Sequence, residues 1–501
     1  MSKIAQWSRR KLLKTGVAAV PLSLGLAGCS DMFAPAPGSD AAALQGRISG
    51  TVVVRGEQSY ETWRKAMIWQ FAKADRHPDM IVQVNSVEDV QEAVRYAAER
   101  DLKVTTRGGG HSMAACFLRN EGMLIDVSRL DGIEVDAAAR TAIAGPGVIC
   151  RGLAEELDKF DLAFPGAHCG TVPISGYLLG GGVGLNTNSW SKGMSVFAVN
   201  GVDIVTADGE LRHASETENP DLFWGARGGG PGLFGVVTKF YLQCYDAPQV
   251  IWGATYVFPY EELRAVTDVM RDVVPTLDKR VEVMYSIALD PESSADLPYE
   301  ERQLIYLDIN AFADSEADGR TMIAPLADHP LASRAVAAIT DRAGSFDRYY
   351  SDNEAGFPQT HWMGDSIWAD DPDAVREIFE QVIPQTAAPR AIPIMLYTGE
   401  HKGQQPDAAC SAFGRYYIAY YMEWDDPSEE QVSRQFCLDV FKRLKTVGSG
   451  SYINEMDQEG RPEDIHECYS PEAWARLAEL RQQWDPDGVF HGFYGQTGGE
   501  A

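Results

Sequence analysis

Arg107-Gly108-Gly109-Gly110-His111-Ser112 is the stretch on which the reading of this chain turns. It sets an imidazole directly after three glycines. A second nucleophile follows in His168-Cys169-Gly170-Thr171-Val172, and the chain then runs on to Gly180-Gly181-Gly182-Val183-Gly184. Glycine has no Cβ and tolerates positive φ, so backbone at these points can approach a ligand closely. Lys103-Val104-Thr105-Thr106 reads as a strand delivering the first run. Consecutive backbone N–H groups in such a loop can wrap a pyrophosphate, although a tight turn would use the same residues. The glycine order fits neither GxGxxG nor the Walker loop, which excludes the usual dinucleotide fold and the P-loop fold. His111 has no partner ligands at metal spacing, so no metal site is expected.

Outward from this stretch, Met80–Asn85 alternates as a strand. Ser86 caps a helix with Val90, Ala93, Val94 and Ala97 on one face. Met123–Val127, Ala142–Ala144 and Val202–Thr206 read as further strands, the last followed by a turn at Ala207–Glu210. Gly228-Gly229-Gly230 leads to another strand, Gly235-Val236-Val237-Thr238-Lys239-Phe240. After about Gln249 the glycine-rich loops stop. Amphipathic helices (Tyr260–Val274, Asp371–Ile383) and alternating strands (Glu282–Leu289, Arg415–Trp424) take their place. The expected fold class is α+β, with two domains in 501 residues.

The first residues predict an address rather than structure. Ser8-Arg9-Arg10-Lys11-Leu12-Leu13-Lys14 reads as a twin-arginine export signal. The apolar stretch Gly16–Gly28 behind it is too short for a permanent span. Leu26-Ala27-Gly28-Cys29 has the form of a lipobox, making Cys29 a candidate for acylation. Asp31–Asp40, with Pro35, Pro37 and Gly38, reads as a tether. The expected partners are the twin-arginine translocation machinery and a membrane reached by lipid anchor only. The expected location is the periplasmic or cell-surface side. A net charge of −28 argues against nucleic acid and against an electrostatic hold on anionic lipid. Beyond Cys29 and Cys169, the remaining cysteines show no CxxC or zinc spacing and read as small buried hydrophobes.

The glycine–histidine run, the Cys169 segment and the second glycine cluster together resemble the berberine-bridge-enzyme-like branch of the FAD-linked oxidases (the vanillyl-alcohol-oxidase or PCMH-type superfamily). The resemblance covers about residues 60–250 and returns at Tyr452–Phe490. It implies a two-part PCMH-type FAD-binding domain plus an antiparallel-sheet substrate domain with helices on one face. The expected division is a signal over 1–28, a tether over 29–50 and an FAD-binding domain over 51–249. A substrate domain follows over 250–450, with a return to the FAD domain over 451–501.

The resemblance also implies roles. His111 matches the residue bonded to the flavin 8α carbon, and Cys169 the residue bonded to flavin C6, so bicovalent FAD is expected. Arg107, Gly108, Gly109, Gly110 and Ser112 match FAD contacts. So do Gly180, Gly181, Gly182, Gly184, Gly235, Val236 and Val237. Val172 looks like the residue of oxygen-admitting members, and ordinary packing would suit it equally. The chain departs from the common pattern at Asn186–Phe197, where many relatives have an Arg and an Asp-Asn pair. Ser451-Tyr452-Ile453-Asn454-Glu455-Met456-Asp457 resembles the family's YxNExD segment. Tyr452 is then the candidate base and Asn454 orients the loop or the flavin. Glu400 is a rival base, and Tyr397 and Tyr417 are candidate substrate contacts. The leading reading is oxidation of a hydroxyl on a sugar or secondary-metabolite-like small molecule, with O2 as acceptor. A tethered dehydrogenase feeding a quinone or cytochrome, and a non-catalytic flavin-bearing binding lipoprotein, are the alternatives.

Overall fold

The computed structural model of the chain describes residues 40–290, 292–294, 296–386, 390–400 and 405–495. The twin-arginine motif, Cys29 and the Asp31–Gly38 part of the tether lie outside them. Folded structure starts earlier than the expected boundary at residue 51. The helix Asp40–Gln45 lies inside the stretch read as tether, and its Ala41 and Leu44 are buried in the same core as Val90 and Val94. Two apolar side chains on one short helix are enough to dock it, which composition rich in Pro and Gly just upstream conceals.

The first part of the fold is built on two small sheets. In one, Val104–Arg107, Met123–Asp126 and Met80–Gln83 run parallel, and Thr51–Val54 adds an antiparallel edge. The parallel register needs a crossover, and the helix Val87–Ala98 supplies it. Ser86 caps that helix by accepting a hydrogen bond from the Asp89 N–H. The second sheet is antiparallel, in the order Ile133–Asp136, Thr141–Ala144, Val236–Gln243, Val199–Val205, Leu211–Ser215. The chain end returns to this part: Phe490 bridges to Val104, and the Val104 N–H donates to the Val489 carbonyl at 2.8 Å.

The second part is one antiparallel sheet of eight strands. Its order is Ala337–Gly344, Val250–Pro259, Gln303–Ala313, Val281–Leu289, Arg390–Tyr397, Tyr416–Trp424, His361–Ala369, Gly448–Gly450. Side chains alternate between its faces. Val283, Tyr285, Ile418, Tyr420 and Met422 face the helices Leu263–Asp272, Pro372–Val382 and Glu430–Leu444, which contribute Val266, Phe379 and Phe441 to the same core. Ile394, Leu396, Tyr417, Ala419 and Tyr421 point the other way and pack with Val183, Phe197 and Tyr452 from the first part. One face of the sheet is therefore core, and the other is the wall of a cleft.

Candidate active site

Between the two parts lies a cavity of about 390 Å³. One wall is the Arg107–Ser112 loop together with Cys169, Val172, Ser175 and Gly235–Val237. The other wall includes Met284, Trp362, Ile394, Leu396, Tyr417 and Tyr421.

The loop's glycines are required by protein contacts. A Cβ on Gly108 would collide with the Ser175 hydroxyl, one on Gly109 with the Pro173 ring, and one on Gly110 with the Met67 carbonyl oxygen. Gly110 also has φ of +74°. The backbone N–H groups of Gly108 to Ser112 donate to no carbonyl among the described residues. A run of such donors on a cavity wall suits an anionic group. Orphaned buried atoms add to this: Ser175 Oγ, Arg119 Nε and His491 Nε2 lack partners among the described residues, and all three residues line the cavity. Arg107 lines it too, but its guanidinium is committed elsewhere. It donates to Asp126 Oδ1 at 2.9 Å and to the Met67 carbonyl at 3.1 Å. Arg107 therefore holds the loop down rather than reaching across the cavity. Ser112 Oγ lies 3.3 Å from Cys116 Sγ.

His111 stacks on Trp69, with ring centroids 4.7 Å apart and planes 23° apart. Burial and the nearby Arg107 cation lower its pKa to about 4, against a weaker pull from the Thr171 backbone. The imidazole is thus neutral near pH 7 and available as a nucleophile. Cys169 lies on the same wall, its Sγ 3.2 Å from Thr171 Oγ1. Burial raises its pKa, and Glu354 adds to the rise. Hydrogen bonds from Thr171 and the Arg151 cation oppose it without prevailing. Next to it, His168 meets Glu282 at 3.2 Å. Burial alone would lower the His168 pKa, but the carboxylates of Glu282 and Glu455 outweigh it and the net shift is upward.

Gly180, Gly181, Gly182 and Gly184 are not on the cavity wall; from that cluster only Val183 is. A Cβ on Gly180 would meet the Asn454 side chain, and one on Gly184 the Ser195 hydroxyl. They are packing glycines: Gly180 lets the Asn454 turn come close, Gly181 admits Cys410, and Gly182 and Gly184 admit Ser195. Asn186, in the departing segment, has φ of +52° and donates its N–H to Glu282.

That turn brings the polar centre of the site. Tyr452 Oη accepts hydrogen bonds from the Val183 N–H at 3.2 Å and from Asn454 Nδ2 at 2.9 Å. Asn454 also donates to the Tyr177 carbonyl at 3.0 Å. Burial raises the Tyr452 pKa and Glu455 adds to it, while the two donors pull it back. The Glu455 carboxylate accepts from both Tyr417 Oη and Tyr421 Oη. Burial raises its pKa too, against those two hydroxyls and His168.

Two more of the expected site residues fall outside the cavity. Glu400 is half exposed and paired with Arg415 at 2.6 Å, so it is not placed to act as a base in the cleft. Tyr397 sits opposite Tyr416 in the sheet, and both face the helices, whereas the neighbouring pair Leu396–Tyr417 faces the cleft. The substrate contact expected at Tyr397 is therefore replaced by Leu396. The residues that sequence reasoning passed over are Trp69, His168, Glu282, Tyr421 and Glu455. Glu282 did leave a trace, since it is a charge set between the apolar Val281 and Val283 in an otherwise buried strand.

Comparison with known proteins agrees with this geometry. Residues 78–215 match the family model described as FAD binding domain. The chain is 27% identical over 441 residues to the FAD-linked oxidoreductase janO of Penicillium janthinellum, covering 86% of this chain and 94% of that protein. It is 25% identical over 460 residues to the (R)-6-hydroxynicotine oxidase of Paenarthrobacter nicotinovorans, covering 89% and 96%. Among solved structures, BBE-like 1 of Physcomitrella patens superposes with a TM-score of 0.77 at 20% identity, covering 91% of this chain and 98% of that one. The fold is that of the berberine-bridge-enzyme-like FAD oxidases, and FAD is the cofactor its first part binds.

Proposed function

We propose that this chain is an FAD-dependent oxidoreductase that oxidises a hydroxyl on a small molecule of the secondary-metabolite or sugar kind, with flavin attached through both His111 and Cys169. The observation that carries the reading is the placing of a neutral imidazole, a thiol and a doubly hydrogen-bonded phenol around one cavity. FAD supplies the acceptor for a hydride and, afterwards, a route for the electrons onward. The protein's part is to bind, to orient and to move a proton. The free N–H groups of Gly108 to Ser112 would hold the pyrophosphate. Gly235, Val236 and Val237 would close the cavity wall beside it. His111 and Cys169 would fix the ring at two points.

Tyr452 takes the substrate's hydroxyl proton as the hydride leaves. Its pKa is raised, so it does not wait as a phenolate and transfer is concerted. The Val183 N–H and Asn454 Nδ2 stabilise the charge that develops on Tyr452 Oη. Reoxidation by O2 is the preferred second half-reaction, because Val172 on the cavity wall leaves more room than a leucine would. The lipobox at Cys29 favours a second reading, in which an exported, lipid-anchored dehydrogenase hands electrons to a quinone or cytochrome.

The test is anaerobic flavin reduction followed by absorbance. Tyr452→Phe should keep the flavin attached and slow its reduction by substrate by about a hundredfold or more. Reduction at the wild-type rate would remove Tyr452 as the base. Faster turnover with artificial acceptors than with O2 would move the acceptor to the second reading.

A further inference from the structure

Glu455 is a carboxylate on the cavity wall with two phenols for partners and, among the described residues, no Lys or Arg. Tyr417 and Tyr421 both donate to its Oε2, and its Oε1 takes no hydrogen bond among the described residues. No Lys or Arg side chain among the described residues pairs with it. The nearest cationic group that influences it, His168, is already engaged with Glu282, and Glu282 also receives the Asn186 N–H. Beyond the Tyr452 and Asn454 pair, the wall around Glu455 is mainly apolar. Met284, Leu396 and Tyr417 are cross-strand neighbours on the cleft face, with Ile394 two residues along. Trp362 and Phe357 stand beside them, ring centroids 5.9 Å apart. A carboxylate held in such a place is costly unless a positive charge joins it. A sugar would need a wall rich in hydrogen-bonding groups, and this wall offers mainly aliphatic and aromatic surface.

The geometry points to Glu455 as the anchor for a basic nitrogen, and to a substrate that is otherwise largely apolar. This narrows the substrate class within the flavoenzyme reading above and rests on it. Tyr417 and Tyr421 are positioning residues in this account. They fix the carboxylate by its Oε2 and leave Oε1 turned over to the ligand.

The probes are N-methylbenzylamine, its neutral isostere benzyl methyl ether, and xylobiose. Each is titrated into the purified flavoprotein and read by the shift of the flavin absorption bands. Wild type should bind the amine at least about tenfold more tightly than the ether, and xylobiose weakest of the three. Glu455→Gln should erase the preference for the amine and leave the ether's Kd unchanged. Equal Kd values for amine and ether in wild type would overturn the inference, as would tightest binding of xylobiose. Both of these results are read on wild type, so neither depends on how the variant folds. A purified chain without bound FAD would instead sink the flavoenzyme reading. The same pair compared by Tm shift would then still report whether the cavity prefers a cation.

Discussion

The two walls of the cavity are made by opposite means. The wall on the FAD-binding side is mostly backbone: a contiguous loop whose N–H groups from Gly108 to Ser112 meet no acceptor among the described residues, pinned by Arg107 to Asp126 and Met67. The wall on the sheet side is mostly side chains, drawn from strands far apart in sequence and selected by the parity of each strand. Backbone donors offer the same chemistry whatever surrounds them, which suits a cofactor. Side chains that alternate in and out can be exchanged one at a time, which suits a substrate.

The largest expected effect breaks the backbone wall. Gly110→Ala places a Cβ against the Met67 carbonyl at positive φ, and should cost at least about 2 kcal/mol of stability. A lowered Tm and lost FAD binding would show it. An unchanged Tm would mean that the loop relaxes easily and is no rigid cradle.

A subtler contrast separates the two attachment residues. His111 has a pKa of about 4, so its reactive neutral form is fully present above about pH 5. Cys169 has its pKa raised by burial, so its reactive thiolate grows as pH rises. In Cys169→Ala, where only the histidine can react, flavin attachment to apoprotein should keep one rate from pH 6 to 8. In His111→Ala, where only the thiol can react, it should quicken by about tenfold per pH unit over the same range. Parallel profiles would show that the two residues do not differ as their surroundings imply.

The smallest effect is expected just past the end of the strand Arg390–Tyr397. Glu400→Gln removes only a surface ion pair with Arg415 and should change turnover by less than about twofold. A severe loss would return Glu400 to the site.

What was legible in the sequence follows the same division. The strand ending at Arg107, the helix after Ser86 and the helix Pro372–Val382 each announce themselves by local pattern, and they fall within a few residues of their reading. The Arg107–Ser112 loop was legible because its residues are adjacent. The sheet wall was not. Tyr397 and Tyr417 look alike as aromatic strand residues, and only the Leu396–Tyr417 pairing sends one to the cleft and the other to the helices. Glu455 was hidden for a related reason. Its partners lie on the strand Tyr416–Trp424, and nothing local tells a buried carboxylate from an exposed one. The second glycine cluster read like a ligand loop, yet its glycines serve close packing against Asn454, Cys410 and Ser195. Glycine marks a close approach without saying what approaches.

The central claim is that His111 and Cys169 each attach to the flavin in one cavity. It is tested by unfolding the purified flavoprotein in acid and taking the intact mass and the absorbance of the precipitate. Wild type, His111→Ala, Cys169→Ala and the double variant are compared. The account predicts a yellow precipitate with one FAD of added mass in wild type and in each single variant, and a colourless one without that mass in the double variant. A colourless wild-type precipitate, or added mass that survives in the double variant, would contradict it.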